Sequence, residues 1–319
     1  MTAVLGGLGA AVIWAAGSTF ASRATRGLGP RLTLAWVMLV GLVALALILP
    51  WTGAPHLTPL VIVWLVLGGA GNVVGLLIMY HALRIGQLGV VMPIVTTEGG
   101  IAALIAILAG EPLRSSVALA LVLTVLGVMM TAIVRRRPKH SRAPSPGAAG
   151  PPPARSPGPA GSATAGDRSE HPRAVATPTG HGDRRAAAWA CAGAASFGIS
   201  LFATGRASHL LPAAWAVLPP RLVGVLAVTL PMGVRGRLRL PRGFWPSLVV
   251  AGICEVAGFF AYATGARHGI AVTAVLATLT GVMGAGSGRL FFGERLQSTQ
   301  VLGIALTFAG VAALAGLTA

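Results

Sequence analysis

The chain has 319 residues, of which 55% are hydrophobic and 10% charged, and its mean hydropathy is +0.79. A soluble domain carries about 25% charged residues, so this composition excludes an ordinary soluble enzyme and a disordered charged protein. The formal net charge of +17 would by itself suggest a nucleic-acid binder, and the placement of the charges decides against it.

Apolar runs long enough to cross a bilayer recur along the chain, since one crossing needs about 20 apolar residues. Ten such runs are predicted, with approximate bounds Val4–Ser22, Leu32–Leu49, Leu60–Tyr80, Gln87–Ala109, Ser115–Val134, Ala186–Gly205, Ala213–Val234, Trp245–Thr264, Gly269–Phe292 and Ser298–Leu317. The sequence therefore predicts an all-α, multi-pass integral membrane protein, and we expect it in a cytoplasmic membrane of the bacterial type.

One polar stretch separates the fifth run from the sixth. Residues 135–185 hold ten of the 22 prolines and ten of the 24 Lys and Arg residues, with almost no large apolar residue. Such a segment cannot bury enough apolar surface to offset its ordering entropy, which predicts a disordered linker. For its basic residues, contact with anionic lipid headgroups is favoured over contact with nucleic acid.

The second half of the chain repeats the first at a constant offset of 183 residues. Because charges are scarce here, the pairs Arg84/Arg267 and Glu111/Glu294 are the most informative matches. We interpret residues 1–134 and 186–319 as two five-helix repeats joined by the linker. Five is odd, so the second repeat must enter the membrane in the opposite orientation. Inverted repeats of this kind are typical of secondary transporters.

A short Gly-Glu string ends the fourth helix of each repeat, as Gly110-Glu111-Pro112-Leu113 and Gly293-Glu294-Arg295-Leu296. With these strings, and with Trp14 early in the first helix, the chain resembles the drug/metabolite transporter superfamily in its ten-helix EamA-type branch. The resemblance implies a basket of helices one to four and six to nine around a central cavity, with helices five and ten outside it. It also implies export or uptake of small metabolites or drugs.

Two of the seven acidic residues, Glu98 and Glu255, lie near the centres of their runs. A carboxylate at that depth costs a few kcal/mol, so each should face a cavity or a partner. They are candidates for a proton-coupling site or for a counter-charge to a cationic substrate. The alternative is a protonated carboxyl that bonds a neighbouring helix. Asn72 is the repeat equivalent of Glu255 and Gly281 that of Glu98, which predicts an asymmetric cavity.

Helical spacing adds neighbours to these carboxylates. Glu255, Phe259 and Tyr262 share one face of helix eight, and Trp14 and Ser18 share one face of helix one. Such a cavity would suit amphipathic or aromatic cations, whereas plain helix or lipid packing is the alternative role for the aromatic rings.

The remaining charged residues near the ends of the runs are interpreted as structural. Glu111 and Glu294, with Gly110 and Gly293, form the repeated signature and have Arg114 and Arg295 nearby. Arg84 and Arg267 are expected to be anchors at the membrane surface or, alternatively, part of a gate ion pair. We find no catalytic constellation, phosphate loop or zinc-binding cluster in the sequence. The expectation is a protein that is not an enzyme and needs no cofactor or metal.

Lys and Arg residues fall unequally on the two sides of the ten runs. Twenty lie on the side that holds the linker, and four lie on the other side, namely Arg114, Arg206, Arg221 and Arg267. The positive-inside rule then favours a cytoplasmic linker and two external termini, whereas the family resemblance suggests internal termini.

The leading hypothesis is a secondary transporter of small organic solutes, with proton coupling as an option. The alternatives are a component of a lipid-linked-sugar flippase and a non-transporting membrane scaffold whose basic linker docks a partner. We expect a small-molecule substrate and the lipid bilayer as partners and no nucleic acid, and we leave a homodimer open.

Overall fold

Helices make up most of the part of the chain that the structure describes. This computed structural model describes residues 1–85, 94–132, 180–239, 242–280, 283 and 298–318. Within those ranges the helices are α1 (Thr2–Leu28), α2 (Pro30–Ile48), α3 (Pro59–Ile85), α4 (Glu98–Leu108), α5 (Ser115–Ala132), α6 (Gly180–Leu210), α7 (Ala213–Val234), α8 (Trp245–Ala266), α9 (Ile270–Ala277) and α10 (Ser298–Thr318). A short turn over Leu49–Trp51 follows α2, and α7 contains a π-helical turn over Val225–Thr229.

Six of these helices, α1, α2, α3, α6, α7 and α8, are long and apolar enough to cross a membrane, and α4, α5 and α10 contain shorter apolar segments. The chain is therefore a multi-pass membrane protein, as its composition predicts. The predicted bounds of α7 agree with the structure, whereas α6 begins at Gly180, before the predicted start at Ala186. The predicted fourth and ninth runs fall only partly on described residues.

Equivalent helices of the two halves, α5 and α10, cross each other in opposite directions. A Cβ atom on Gly127 would lie 2.4 Å from the Thr307 hydroxyl oxygen, and one on Gly310 would lie 2.3 Å from that of Thr124. Because Gly310 and Thr307 follow Gly127 and Thr124 by 183 residues, the same contact is made twice. Each threonine is buried and donates its hydroxyl one turn back in its own helix, at 2.8 Å. A pair of reciprocal contacts, in which each helix makes the same contact to the other, indicates a two-fold axis between α5 and α10.

The first and third helices of the two repeats also make a pair of equivalent contacts. The Trp14 ring of α1 covers Gly258 of α8, where a Cβ atom would lie 2.4 Å from the indole nitrogen. The Phe197 ring of α6 covers Gly75 of α3, where a Cβ atom would lie 2.8 Å from the ring. Phe197 and Gly258 are the repeat equivalents of Trp14 and Gly75. Each repeat therefore packs its first helix against the third helix of the other repeat.

These paired crossings confirm the predicted fold class, an all-α membrane protein built from two inverted five-helix repeats. The core of the bundle includes α9, in which every residue of Ile270–Ala277 is buried. It packs against α1, α4 and α8, so both repeats surround it.

Candidate functional site

Two helices at equivalent positions of the repeats are interrupted. In the first half, Thr97 donates its hydroxyl to the carbonyl oxygen of Ile94 at 2.7 Å, within the turn that precedes α4. In the second half, Thr280 donates to the carbonyl oxygen of Ala277 at 2.8 Å, across the turn at Thr278 that follows α9. Thr280 and Ala277 are the repeat equivalents of Thr97 and Ile94. Interrupted helices in corresponding positions of two halves are typical of transporter binding sites.

Glu98 lies directly after the first of these breaks, in the first turn of α4. Helix α6 passes close above it, because a Cβ atom on Gly198 would lie 3.0 Å from the Glu98 carbonyl oxygen. Glu255 lies within electrostatic range of the Glu98 carboxylate. Within the described ranges no ion pair involves Glu98, since the ion pair found there joins two other residues. The partial positive charge at a helix N-terminus is the feature that favours an acidic group at this point.

Glu255 of α8 is paired with an arginine of α7. Nη1 of Arg221 lies 3.4 Å from Oε1 of Glu255, and Nη2 donates to the Glu255 carbonyl oxygen at 3.2 Å. The guanidinium also lies 4.9 Å from the centre of the Phe259 ring and 3.5 Å from the sulfur of Met38. The Arg221 side chain is fully buried, whereas 30% of the Glu255 side chain is exposed. The pair therefore presents its carboxylate outward and keeps its guanidinium behind it.

The assignment of Arg221 to the side opposite the linker is wrong, because the predicted run Ala213–Val234 itself contains this residue and the structure keeps it there. Arg221 lies inside α7, directly after Pro219 and Pro220, and is buried. The carboxylate and the carbonyl oxygen of Glu255 offset the cost of removing its charge from water. Without Arg221, three Lys and Arg residues remain on the side opposite the linker, against twenty on the linker side. The ratio of Lys and Arg residues between the two sides is thus twenty to three instead of twenty to four. By the positive-inside rule, this change strengthens the argument for a cytoplasmic linker.

Trp14 connects α1 with the candidate residues of α8. Its indole nitrogen lies 3.5 Å from the Glu255 carbonyl oxygen. Its ring centre lies 4.9 Å from that of Phe259, edge to face, and 6.3 Å from that of Tyr262. Phe259 and Tyr262 are both buried, and Tyr262 donates its hydroxyl to the Leu201 carbonyl oxygen of α6 at 2.9 Å. These two rings pack between helices, and Trp14 is the partly exposed aromatic residue beside Glu255.

Two further candidates make no described hydrogen bond to this cluster. Ser18 is exposed and donates its hydroxyl to the Ala15 carbonyl oxygen of its own helix at 2.9 Å. Asn72 is buried in α3, and its Oδ1 has no hydrogen-bond partner within the described part of the chain. The structure thus brings Trp14, Glu255 and Phe259 together, as the sequence spacing predicts for the last two, and adds Arg221, which is not among the predicted site residues. The available signal for Arg221 is a lone arginine in one apolar run and a lone glutamate in the next.

The Gly-Glu string of the first repeat ends α4 in a Schellman motif. Gly110 has a φ of +89°, which favours glycine. The N–H groups of Gly110 and Glu111 donate to the carbonyl oxygens of Ile107 and Ala106, both at 3.0 Å. The chain then places the Glu111 carboxylate at the N-terminus of α9, where the Ala271 N–H reaches Oε1 and Oε2 at 3.2 and 3.3 Å. The signature glutamate thus links α4 of one repeat to α9 of the other.

Burial raises the pKa of the Glu111 carboxyl, and the N–H groups of Ala271 and Ile270, together with the Arg206 charge, act against that rise. Arg206, rather than the expected Arg114, is the cation that influences Glu111, and no ion pair with Arg114 occurs in the described ranges. Gly293 and Glu294, the equivalent pair of the second repeat, lie outside the described residues.

One end of the bundle is closed by contacts between α6 and α8. At the C-terminal ends of these helices, Nε of Arg267 donates to the Ser208 carbonyl oxygen at 2.6 Å, and Nη2 donates to that of Leu211. One and a half turns earlier in α8, Tyr262 reaches Leu201. Both helices belong to the second repeat, so this repeat is joined to itself at what we call the α6/α8 end.

Among the described residues, the Tyr262–Leu201 contact has no equivalent between α1 and α3 of the first repeat, and the side chain of Arg84, the repeat equivalent of Arg267, lies outside those residues. The repeat equivalents of Leu201 and Tyr262 are Ser18 and Met79. Ser18 is exposed and bonds within its own helix. Met79 packs in a cluster with Ala186 and Ala190 of α6 instead. Within the described residues, the two ends of the bundle therefore differ although the repeats are related by sequence.

Comparison with known proteins identifies the family. A family model described as the EamA-like transporter family matches residues 1–133 and 184–316. No curated protein matches the chain. One solved crystal structure aligns over 99% of this chain and 96% of its own, with a TM-score of 0.69 and 17% sequence identity. At that identity the likeness shows a shared fold alone. Because the family model covers both repeats, the chain belongs to the EamA-like transporter family.

Proposed function

We propose that this protein is a secondary transporter that carries small organic metabolites or drugs across the cytoplasmic membrane by alternating access, coupled to protons. The observation that carries the proposal is the difference between the two ends of the bundle. The second repeat is joined to itself through Tyr262, Leu201 and Arg267, whereas in the first repeat the equivalents of Leu201 and Tyr262, Ser18 and Met79, make no such contact among the described residues.

Inverted repeats give such a difference a function. If the two repeats exchange conformations, α6 and α8 separate at their end and α1 and α3 approach each other at the opposite end. A site between the repeats is then exposed first to one side of the membrane and afterwards to the other. The candidate residues come from both repeats: Trp14 and Glu98 from the first and Glu255 from the second. Glu98 directly follows one of the two helix interruptions. A site at this position would be exposed to each side of the membrane in turn.

Glu98 is the residue proposed to couple transport to protons. An acidic group inside the membrane is costly when ionised unless a partner lies close, and no ion pair involves it within the described ranges. Glu255 has Arg221 as such a partner. We therefore assign proton exchange to Glu98, whereas Glu255 is paired with the guanidinium of Arg221.

Transport by purified protein in liposomes tests the proposal. A panel of labelled small organic solutes is screened with and without an imposed pH gradient, for the wild type, Glu98→Gln and Glu255→Gln. We expect solute movement by the wild type that increases with the gradient, and loss of that increase in Glu98→Gln. Glu111→Gln is the matched control, because it also removes a carboxylate but lies at a helix end. Unchanged gradient dependence in Glu98→Gln would exclude this residue as the coupling site.

The scaffold hypothesis makes a different prediction from the same assay. Deletion of residues 140–180 removes 41 of the 51 residues of the linker, with four of its ten Lys and Arg residues. A carrier should keep most of its transport after this deletion, because the candidate site lies in the helices. A chain that moves none of the solutes in either form would contradict the transporter proposal.

A further inference from the structure

We propose that Arg221 is a positioning residue that holds the Glu255 carboxylate turned outward, so that the site selects solutes with a positive group. This inference rests on the proposed transport function and deepens it, because it names a substrate class. Arg221 itself does not contact the solute, since its side chain is fully buried.

The geometry of the pair gives it a direction. Arg221 has two contacts to Glu255, one to the carboxylate at 3.4 Å and one to the carbonyl oxygen at 3.2 Å. The Phe259 ring and the Met38 sulfur hold the guanidinium from other sides. The exposed part of the pair is therefore the glutamate, whose charge a solute would meet first. A buried guanidinium with this many contacts is also an arrangement that lysine reproduces only in part.

Among the described residues, the other groups that the structure places near Glu255 carry no positive charge. From α4 comes the carboxyl of Glu98, and from α8 itself comes the thiol of Cys254. From α1 comes the indole of Trp14, which is neutral and whose ring face attracts cations. An entering solute would therefore meet the exposed part of the Glu255 carboxylate beside a neutral indole. An organic cation with an aromatic or apolar body fits this combination of carboxylate and indole.

The comparison of the two repeats argues against a purely structural role. Met38 and Asn72 occupy the positions of Arg221 and Glu255 in the first repeat, and both are buried there. The same helix positions thus pack in the first repeat without any charge. Since a buried ion pair is seldom more stabilising than a neutral pair of similar size, the fold does not require the charges that the second repeat carries.

Binding of two permanently charged probes tests the inference. Phenyltrimethylammonium and benzenesulfonate are similar in size and opposite in charge, and neither titrates between pH 6 and pH 9. Binding to the purified full-length protein in detergent is measured by calorimetry across that range. We expect the wild type to bind the cation about tenfold more tightly than the anion, a difference that corresponds to about 1.4 kcal/mol.

Variants separate the role of Arg221 from that of folding. Arg221→Met should weaken cation binding at pH 6 and restore it as the pH rises, because the unpaired carboxyl then takes up a proton at low pH. Arg221→Lys should return part of the binding at low pH. The double variant Arg221→Met/Glu255→Asn carries the neutral residues found at these positions in the first repeat. We therefore expect its unfolding temperature to be close to that of the wild type. Because it has neither charge of the pair, it should have lost most of its preference for the cation at every pH. If Arg221→Met fails to fold, the lysine and double variants carry the test.

Each outcome decides the inference. Wild-type protein that does not prefer the cation overturns it, and so does a pH profile of Arg221→Met that matches the wild type. Retained cation preference in the double variant overturns it as well. If the preference fails while gradient-driven transport is present, only this inference falls. If the preference holds while no solute is transported, only the proposed function falls.

Discussion

Arg221 contacts Met38, the residue that occupies its own position in the other repeat, at 3.5 Å between Nη1 and the sulfur. The glycines one turn further along repeat the relation: a Cβ atom on Gly41 would lie 3.1 Å from Cδ of Arg221, and one on Gly224 would lie 2.8 Å from the sulfur of Met38. The pseudo-two-fold axis therefore passes between these two side chains. At this axis the second repeat has the positively charged Arg221, whereas the first repeat has the neutral Met38. The fold is therefore nearly symmetric, and the candidate site is not.

The reciprocal crossing of α5 and α10 predicts that equivalent substitutions have equal effects. Gly127→Ala and Gly310→Ala each place a methyl group within 2.4 Å of a threonine hydroxyl of the other helix, which forces the helices apart. Overpacking of this kind costs about 1–3 kcal/mol. We expect both variants to lower the thermal unfolding temperature in detergent by similar amounts. Differential scanning fluorimetry of the two variants side by side measures this.

Gly9→Ala is the control for these two variants. A Cβ atom on Gly9 would lie 3.6 Å from its nearest neighbour, the Cβ atom of Ala261, which is ordinary contact, and alanine favours a helix over glycine. We expect no loss of stability for it. A large effect at Gly127 together with none at Gly310 would contradict the two-fold relation of α5 and α10.

Much of this fold could be predicted from the sequence, and the charged pair could not. The offset of 183 residues is enough by itself to match Glu111, Thr124 and Gly127 with their equivalents in the second repeat. The sequence does not predict which helices are neighbours. In runs that are apolar on all sides, no polar face shows which side of the helix faces the core. The sequence shows Arg221 as a lone arginine in the middle of such a run and does not show what pairs with it. Its pairing with Glu255 depends on the crossing of α7 and α8, which no local pattern encodes.

The raised pKa of Glu111 predicts a pH dependence of stability. Because burial raises this pKa above 4.5 in the native state, the native chain holds the proton more tightly than the unfolded chain. Stability contributed by this group is therefore greatest at low pH and falls as the pH rises from about 4.5 through the raised pKa. In Glu111→Gln the group cannot titrate, and its amide oxygen can still accept the Ala271 N–H. Unfolding temperatures measured at pH steps for both proteins should show the wild type losing stability relative to the variant.

That comparison also has an outcome that would be inconsistent with the geometry. If the wild type gained stability over Glu111→Gln with rising pH, the carboxylate would be favoured in the native state. The N–H groups of α9 and the Arg206 charge would then outweigh burial, contrary to the order of the two effects in this structure.

Gly110 should be sensitive for a reason of backbone geometry alone. Its φ is +89°, and no atom lies within 4 Å of the place where a Cβ atom would be. Gly110→Ala therefore costs about 1–2 kcal/mol through the left-handed backbone and not through a clash. Gly110→Asn, which tolerates that conformation better, should recover part of the loss in unfolding temperature. Equal stability of Gly110→Ala and the wild type would mean that α4 does not end in this conformation.

The closed α6/α8 end leads to a prediction about conformational balance. A buried hydrogen bond from a charged donor contributes about 1.5–3 kcal/mol to stability. Arg267 donates two hydrogen bonds, to the carbonyl oxygens of Ser208 and Leu211. Each contributes less than a buried bond would, because Arg267 is exposed. Arg267→Ala should therefore shift the population towards a form that is open at this end. The measurement is the labelling rate of a cysteine that replaces buried Leu201, with Cys191 and Cys254 replaced by alanine.

We expect Arg267→Ala to increase that labelling rate about tenfold, the factor that corresponds to 1.4 kcal/mol. Arg237→Ala removes an exposed arginine after α7 and should leave the rate unchanged. Tyr262→Phe, which loses the hydrogen bond to Leu201 but keeps the ring, should give an intermediate increase. Labelling that is as slow in Arg267→Ala as in the wild type would show that Arg267 does not hold this end closed. The difference between the two ends would then need another cause, and Arg267 would be an anchor at the membrane surface instead.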